Sequence, residues 1–191
     1  MRAVILDGSA AGDEVLGLAR ESLSTALDAS GWEVEAVTLR DLDIAWCAGC
    51  FGCWVKTPGL CVVQDDSEQV SRSFIGSHLA VYLTRVTFGG FSSILKKAVD
   101  RAIGLGSPLF QKVEGEVHHR KRYERYPSLV AVGALERPDT ESEAIFARLL
   151  GRNALNAFSP GHAAGFVYDG QARGEVRAAV RDALARAGVR P

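Results

Sequence analysis

The sequence predicts an α/β protein built on a doubly wound parallel sheet of five strands, order 2-1-3-4-5, with helices on both faces. Two observations carry this reading. Short apolar runs alternate with longer amphipathic ones from one end of the chain to the other, and each apolar run is followed by a segment of helical period. Five such units demand crossover connections, and right-handed crossovers restrict the topology to the doubly wound type. The ligand crevice of such a sheet lies at the carboxyl ends of strands one and three.

The elements run in order along the chain. Ala3–Leu6 is the first buried strand, and Gly8-Ser9 the turn after it. From Asp13 to Ala29, apolar residues at Val15, Leu16, Leu18, Ala19, Leu23 and Leu27 recur at helical spacing. Glu33–Leu39 alternates as a strand. Arg40 to Cys61 is irregular and holds every cysteine of the chain. Asp66 to Gly76 reads as a short helix and Leu79–Leu83 as the third strand. Phe91–Ile103 is helical, with Ile94, Leu95, Ala98, Val99 and Ala102 on one stripe. A polar stretch from Gly104 to Pro127 precedes a strand at Leu129–Val132, a helix at Glu141–Asn156, a strand at Ala163–Tyr168 and a last helix at Gly174–Ala187. The whole of 1–191 is expected to form one domain, with a cysteine-rich insertion over 40–65 and a polar loop over 104–127.

Composition narrows the function classes. With 47% hydrophobic and 24% charged residues, the chain is ordinarily globular, and a formal net charge of −1 gives no bulk attraction to nucleic acid or anionic membrane. The basic run His118-His119-Arg120-Lys121-Arg122 reads as a solvated face. No apolar stretch approaches a membrane span, and Met1-Arg2 leads into the first strand without a signal-peptide pattern. The expected compartment is the cytoplasm, where thiols are kept reduced, so four cysteines within fifteen residues call for something other than a disulfide scaffold.

That set is Cys47-x2-Cys50-x2-Cys53-x7-Cys61. Three thiols at three-residue spacing can converge on one point, and a displaced fourth completes the coordination of a cuboidal iron–sulfur cluster. Glycines at 49, 52 and 59 let the segment wrap tightly, while Trp46, Phe51 and Trp54 can exclude water. Zinc, usually held by two separate Cys-x2-Cys knuckles, matches the tandem triple less well; idle thiols and a redox disulfide are the remaining readings. At the expected crevice, the amides of Gly8-Ser9-Ala10-Ala11-Gly12 and the helix after them can cradle a phosphate, or form a plain turn. After strand three, the segment Thr84-Arg85-Val86-Thr87-Phe88-Gly89-Gly90-Phe91-Ser92 sets two glycines between aromatics. That permits close approach to a flat ring, with Ser92 capping the next helix; the alternative is a helix start with Phe88 and Phe91 in the core. In Glu114–Pro127, adjacent His118 and His119 point to different sides, so a shared metal is not expected; a solvated loop, an active-site wall or a subunit contact are its readings.

The cysteine block, with Asp43-Ile44 before it and Asp65-Asp66 after it, resembles that of the flavodoxin-family NAD(P)H-dependent FMN reductases and iron–sulfur flavoproteins. Val86–Ser93 with Leu95-Lys96-Lys97 and Asp100-Arg101 is similar to their isoalloxazine loop and following helix. Gly115-Glu116-x-His118-His119, Arg122-Tyr123 and Tyr126-Pro127 are similar to one branch of them. The resemblance implies a flavodoxin-like sheet in a homodimer or homotetramer, FMN near a subunit interface, and a [4Fe-4S] cluster on Cys47, Cys50, Cys53 and Cys61. It implies an oxidoreductase or electron carrier supplied by NAD(P)H or a ferredoxin-like donor. It assigns Ser9, Ala10, Ala11 and Gly12 to the phosphate, Thr84, Arg85, Val86, Thr87, Phe88, Gly89, Gly90 and Phe91 to the ring, and Gly133 and Ala134 to its other side.

The alternatives are an FMN reductase whose cysteines hold no cluster, and a binding or regulatory module that has lost FMN. Two departures bear on them. The first loop is shorter than the family's, lacks its Asn-Thr donors and carries Asp13-Glu14 where donors are wanted. Arg85 stands where the family has proline, either as an anion contact or as an occupant of the flavin's space.

Overall fold

The computed structural model describes residues 1–113 and 115–189. Its elements are β1 (Arg2–Asp7), α1 (Glu14–Ala29), β2 (Glu33–Thr38), α2 (Gly52–Val55), α3 (Ser67–Gly76), β3 (Leu79–Thr87), β4 (Gly90–Phe91) and α4 (Ser93–Arg101), then β5 (Gly106–Val113), β6 (Glu116–Lys121), β7 (Ser128–Leu135), α5 (Thr140–Asn156), β8 (His162–Tyr168) and α6 (Arg173–Arg186). The main sheet runs β2-β1-β3-β7-β8, with every neighbouring pair parallel. Counting these five strands alone, this is the expected order 2-1-3-4-5; β4 is an addition, folded back antiparallel on β3.

Side chains alternate across each strand and sort the core into two layers. Ala3 and Ile5 of β1, Leu79, Val81 and Leu83 of β3, and Val130 and Val132 of β7 pack under α1 and α6. Val4 and Leu6, Ala80 and Tyr82, and Leu129 and Ala131 pack under α3, α4 and α5 on the opposite face. Both faces being covered explains why these strands read as continuous apolar runs. No helix among the described residues is long and apolar enough to cross a membrane.

Two segments differ from the sequence expectation. The helix expected over Phe91–Ile103 starts at Ser93, because Gly90 and Phe91 pair with Thr87 and Val86 and Ser92 takes the cap, its Oγ accepting from the Leu95 amide at 3.4 Å. The polar loop expected over 104–127 instead holds the hairpin β5–β6; Glu114 of that stretch lies outside the described residues. The hairpin is a sheet of its own and much of it is exposed, so its side chains carry little of the period-2 alternation that burial imposes. It is tied down at its edges. His118 meets Asn156 at 2.9 Å and Glu116 at 3.2 Å, while His119 lies between the Trp54 and Phe110 rings, so the two histidines do face different ways.

Candidate functional site: a strand-end crevice and a cysteine-lined cavity

The crevice begins where β1 ends. Gly8 donates its amide to the Leu83 carbonyl at 2.8 Å, and a Cβ on Gly8 would lie 2.8 Å from that of Leu95, so only glycine lets the loop sit against α4. Asp7 is buried and organises the start of the first loop, accepting from the Ser9 amide at 2.9 Å and pairing with Arg20 at 3.1 Å. The Ser9 amide is therefore committed inward. Ala10, Ala11 and Gly12 are exposed, and no acceptor among the described residues meets their amides. Gly12 turns the chain at φ +77° with open space where a Cβ would stand.

Asp13 does not project a charge into this pocket. Its Oδ1 caps α1 by accepting from Leu16 at 3.1 Å, and both oxygens receive Arg85, at 2.6 Å from Nε and 2.9 Å from Nη2. The side chain is 6% exposed. Arg85 also pairs with Asp169 at 2.8 Å; Asp13 foremost, and Asp169 beside it, hold the guanidinium firmly protonated. The residue read as a spare anion contact or an obstacle is thus an internal bridge between the first loop and the end of β8. Glu14 is exposed at the rim.

The loop after β3 is a tight hairpin. Phe88 and Gly89 form its two-residue tip with φ of 50° and 73°, the left-handed pair such a turn requires. A Cβ on Gly89 would come within 2.6 Å of Ile145, so α5 closes over the tip. Phe88 is thrown fully into solvent at 101% exposure, whereas Phe91 is buried edge-on to Tyr82 and Phe146. Of the two aromatics expected near a flat ring, Phe88 is free and Phe91 belongs to the core. Thr84 is buried and accepts from the Ser92 amide at 3.0 Å; Val86 is half-buried and Thr87 exposed. Gly133 and Ala134, expected on the other side of the ring, are instead buried inside the sheet, paired with Thr84 and Arg85 of β3 on one side and with Phe166 and Val167 of β8 on the other. A Cβ on Gly133 would strike Val86 at 2.7 Å. Sequence reasoning missed Arg40, whose Nη1 donates to Ser9 Oγ at 3.2 Å; the cue was a cation directly after the strand that flanks β1.

The cysteine segment is a loop closed at its neck. Asp43 and Ala45 donate their amides to Asp66 at 2.7 Å and Asp65 at 3.1 Å. Arg101 of α4, 2% exposed, reaches Asp65 at 2.9 Å, the carbonyls of Val63 and Ala45 at 3.2 and 3.4 Å, and Ser67 Oγ at 3.0 Å. Burial raises the Asp65 carboxyl, but bonds from Ser67, Ala45 and Arg101 outweigh it and hold the group below its ordinary range. Within the loop, Gly49 and Phe51 take positive φ, and Gly52 packs so closely on Val62 that a Cβ would lie 2.6 Å from it. Trp54 stacks on Phe51 and donates Nε1 to the Gly106 carbonyl at 3.1 Å, docking the loop on the hairpin.

Cys47, Cys50, Cys53 and Cys61 line one cavity of ≈ 550 Å³, floored by residues of α3, α4 and α5. Cys47 and Cys50 are exposed, Cys53 and Cys61 half-buried, and all four are free thiols. Burial, then the neighbouring Cys61, Cys47 and Cys50, push the Cys53 thiol up. Among the described residues, no three His, Cys, Asp or Glu side chains are gathered tightly enough to hold a metal ion.

Fold and site define a flavodoxin-like α/β protein with a strand-end crevice and a separate thiol-lined cavity. Over 102 residues, 52% of its length, the chain is 33% identical to an iron–sulfur flavoprotein of Methanocaldococcus jannaschii, covering 51% of that protein. Over 80 residues, 42% of its length, it is 31% identical to an iron–sulfur flavoprotein of Archaeoglobus fulgidus, covering 36% of it. The chain thus spans about half the length, or less, of these curated relatives. No family model matches. The fold is shared with an NAD(P)H:quinone oxidoreductase from Methanothermobacter marburgensis, with a TM-score of 0.73, 13% identity and coverage of 97% of this chain and 98% of that one. It is shared also with an FMN-dependent NADH-azoreductase from Bacillus anthracis in complex with FMN, with a TM-score of 0.62, 12% identity and coverage of 98% of both chains.

Proposed function

We propose that this protein is an FMN-dependent oxidoreductase that takes electrons from NAD(P)H or a reduced carrier, with an iron–sulfur cluster of the [4Fe-4S] type on its cysteine segment. The observation that carries the reading is that all four thiols border one cavity in a protein whose strand-end crevice has free amides at one end and an exposed aromatic at another. Similarity to two proteins named iron–sulfur flavoproteins and to an FMN-bound fold neighbour supports it.

The donor sets suit these groups. The amides of Ala10, Ala11 and Gly12 and the start of α1 suit a phosphate, and Asp13 no longer opposes one because Arg85 neutralises it. Phe88 offers a flat face for an aromatic ring. Four thiols on one cavity suit iron–sulfur chemistry, with the stacked Phe51 and Trp54 rings beside them and His119 on the same wall. When bound, flavin exchanges a hydride or single electrons, and a cluster exchanges single electrons. Cys47, Cys50, Cys53 and Cys61 would serve as thiolate ligands, and the Arg101–Asp65 neck would hold the ends of their loop against α4. Exposed apolar residues at Trp46, Phe51, Leu109, Phe110 and Val117 support pairing with a second copy, as a homodimer or homotetramer, and the thiol set suits a reducing cytoplasm.

A second reading, an FMN reductase whose cysteines hold no cluster, is favoured by the thiols not being gathered to metal-binding distance among the described residues. Protein purified without oxygen separates the two. The proposal expects flavin absorption with a broad shoulder bleached by dithionite, and iron and acid-labile sulfide in matching amounts. Flavin without iron and sulfide after anaerobic reconstitution would establish the second reading, and one zinc without sulfide would defeat the cluster.

A further inference from the structure

The pocket beside the first loop is lined by acids and bases that are largely spoken for. Asp7 pairs with Arg20, Asp13 with Arg85, and Glu21 with Arg173. Arg40 is different. Its one carboxylate contact among the described residues is exposed Asp41 at 3.7 Å, while Nη1 lies 3.2 Å from Ser9 Oγ and 3.5 Å from the Ser9 carbonyl. The sheet order explains how a residue 31 positions away arrives there. β2 runs parallel beside β1, with Thr38 opposite Asp7, so the single turn Leu39–Asp41 leaves β2 at the level where the first loop leaves β1.

We infer that Arg40 is the counter-charge for the flavin's 5′-phosphate, and so the residue that makes this crevice prefer FMN to riboflavin. This deepens the flavin reading and rests on it. A guanidinium presents five N–H donors in a planar fork, and the contact with Ser9 uses only Nη1. The remaining donors stand beside a pocket lined by Ser9, Ala10 and Gly12. Of the four carboxylates that also border it, Asp7, Asp13 and Glu21 are paired with arginines, and Glu14, exposed at the rim, is the one without a partner among the described residues. Charge-assisted hydrogen bonds to phosphate are about twice as strong as neutral ones. One side chain from the neighbouring strand thereby takes the place of the donor-rich loop this sequence lacks. Arg85 cannot do so, because two carboxylates already hold it.

The test uses the full chain freed of flavin and titrated with FMN and with riboflavin, following quenching of flavin fluorescence. Wild type should bind FMN more tightly than riboflavin, with an affinity that falls as salt rises. Arg40→Ala should weaken FMN binding about 10- to 100-fold, the range for a charged hydrogen bond, and leave riboflavin affinity unchanged. Arg40→Lys should keep part of the preference. Riboflavin serves as the folding control. An Arg40→Ala protein that keeps the wild-type ratio of FMN to riboflavin affinity overturns the inference, as does a wild type without any preference; in both cases the flavin reading stands. Failure of wild type to bind either flavin defeats both.

Discussion

The strand-end crevice and the cysteine segment are organised in opposite ways. In the crevice, the polar groups flanking the loops are matched within the protein: Asp7 with Ser9 and Arg20, Asp13 with Leu16 and Arg85, Thr84 with Ser92, and Ser92 with the Gly8 carbonyl at 3.0 Å. Its loops are built before any ligand arrives. The cysteine segment bonds to itself through local turns, with Thr57 and Gly59 donating their amides to the Gly52 and Cys53 carbonyls at 3.0 and 2.9 Å, and it meets the rest of the protein mainly at its margins. Between Ala45 and Gln64, Gly52 alone is fully buried, and order comes from the neck at Asp65 and Arg101 and from Trp54 on the hairpin. A preformed crevice spends no binding energy on ordering itself, whereas a tethered loop is completed by what its side chains take up.

The largest effect expected from this contrast is compositional. Any one of Cys47→Ser, Cys50→Ser, Cys53→Ser or Cys61→Ser should abolish iron and sulfide together under anaerobic purification, yet leave the circular dichroism of the sheet intact. Retention of both in Cys61→Ser would reduce the ligand set to the tandem triple.

Next is the neck. Arg101→Leu leaves the Asp65 carboxylate, whose side chain is 6% exposed, without its charge partner. Loss of one partner of a buried pair costs about 3–5 kcal/mol. Urea denaturation should register it, and hydrogen exchange should accelerate over 45–63 before it does in β1 or β3. Equal acceleration in the sheet would mean that the loop is not a separately tethered unit.

In the crevice, Arg85→Ala strips a cation from the buried Asp13 carboxylate, which keeps its capping bond. The expected loss is about 1–3 kcal/mol of stability, with the ratio of FMN to riboflavin affinity unchanged. A selective loss of FMN would return Arg85 to the ligand site.

The smallest effect is acid sensitivity of the neck. Because the folded Asp65 carboxyl titrates below its ordinary range, the unfolded chain binds the proton first as pH falls. The contribution of Asp65 is complete above about pH 4, the unperturbed carboxylate value, and is lost as pH drops through the lower folded value. Protection over 45–63, taken relative to the intrinsic exchange rate at each pH, should therefore fall on acidification in wild type and stay level in Asp65→Asn. Identical acid profiles would remove Asp65 as the titrating clasp.

Much of the molecule was legible in one dimension because its information is local. Apolar runs at Ala3–Leu6, Leu79–Leu83 and Leu129–Val132 are strands buried on both faces, and helical spacing from Val15 to Leu27 marks the face that α1 turns to them. The cap at Ser92 was equally plain. The hairpin β5–β6 was not, since strands left wet on much of both faces need no alternation, and charge at Arg120 and Lys121 makes such a segment look like loop. Phe88 and Phe91 are the same residue type three positions apart. Only the tight turn between them sends one to solvent and the other into the core.

By itself, the sequence determined the parallel sheet, its strand order and the grouping of four thiols, because apolar periodicity and close spacing are properties of neighbouring residues. Charge partners were decided only by the tertiary structure. Asp13 and Arg85 are 72 positions apart, Asp65 and Arg101 are 36, and Ser9 and Arg40 are 31. Whether a carboxylate repels a phosphate or is already neutralised depends on which strand ends stand side by side, and that is a property of the folded sheet rather than of any stretch of chain.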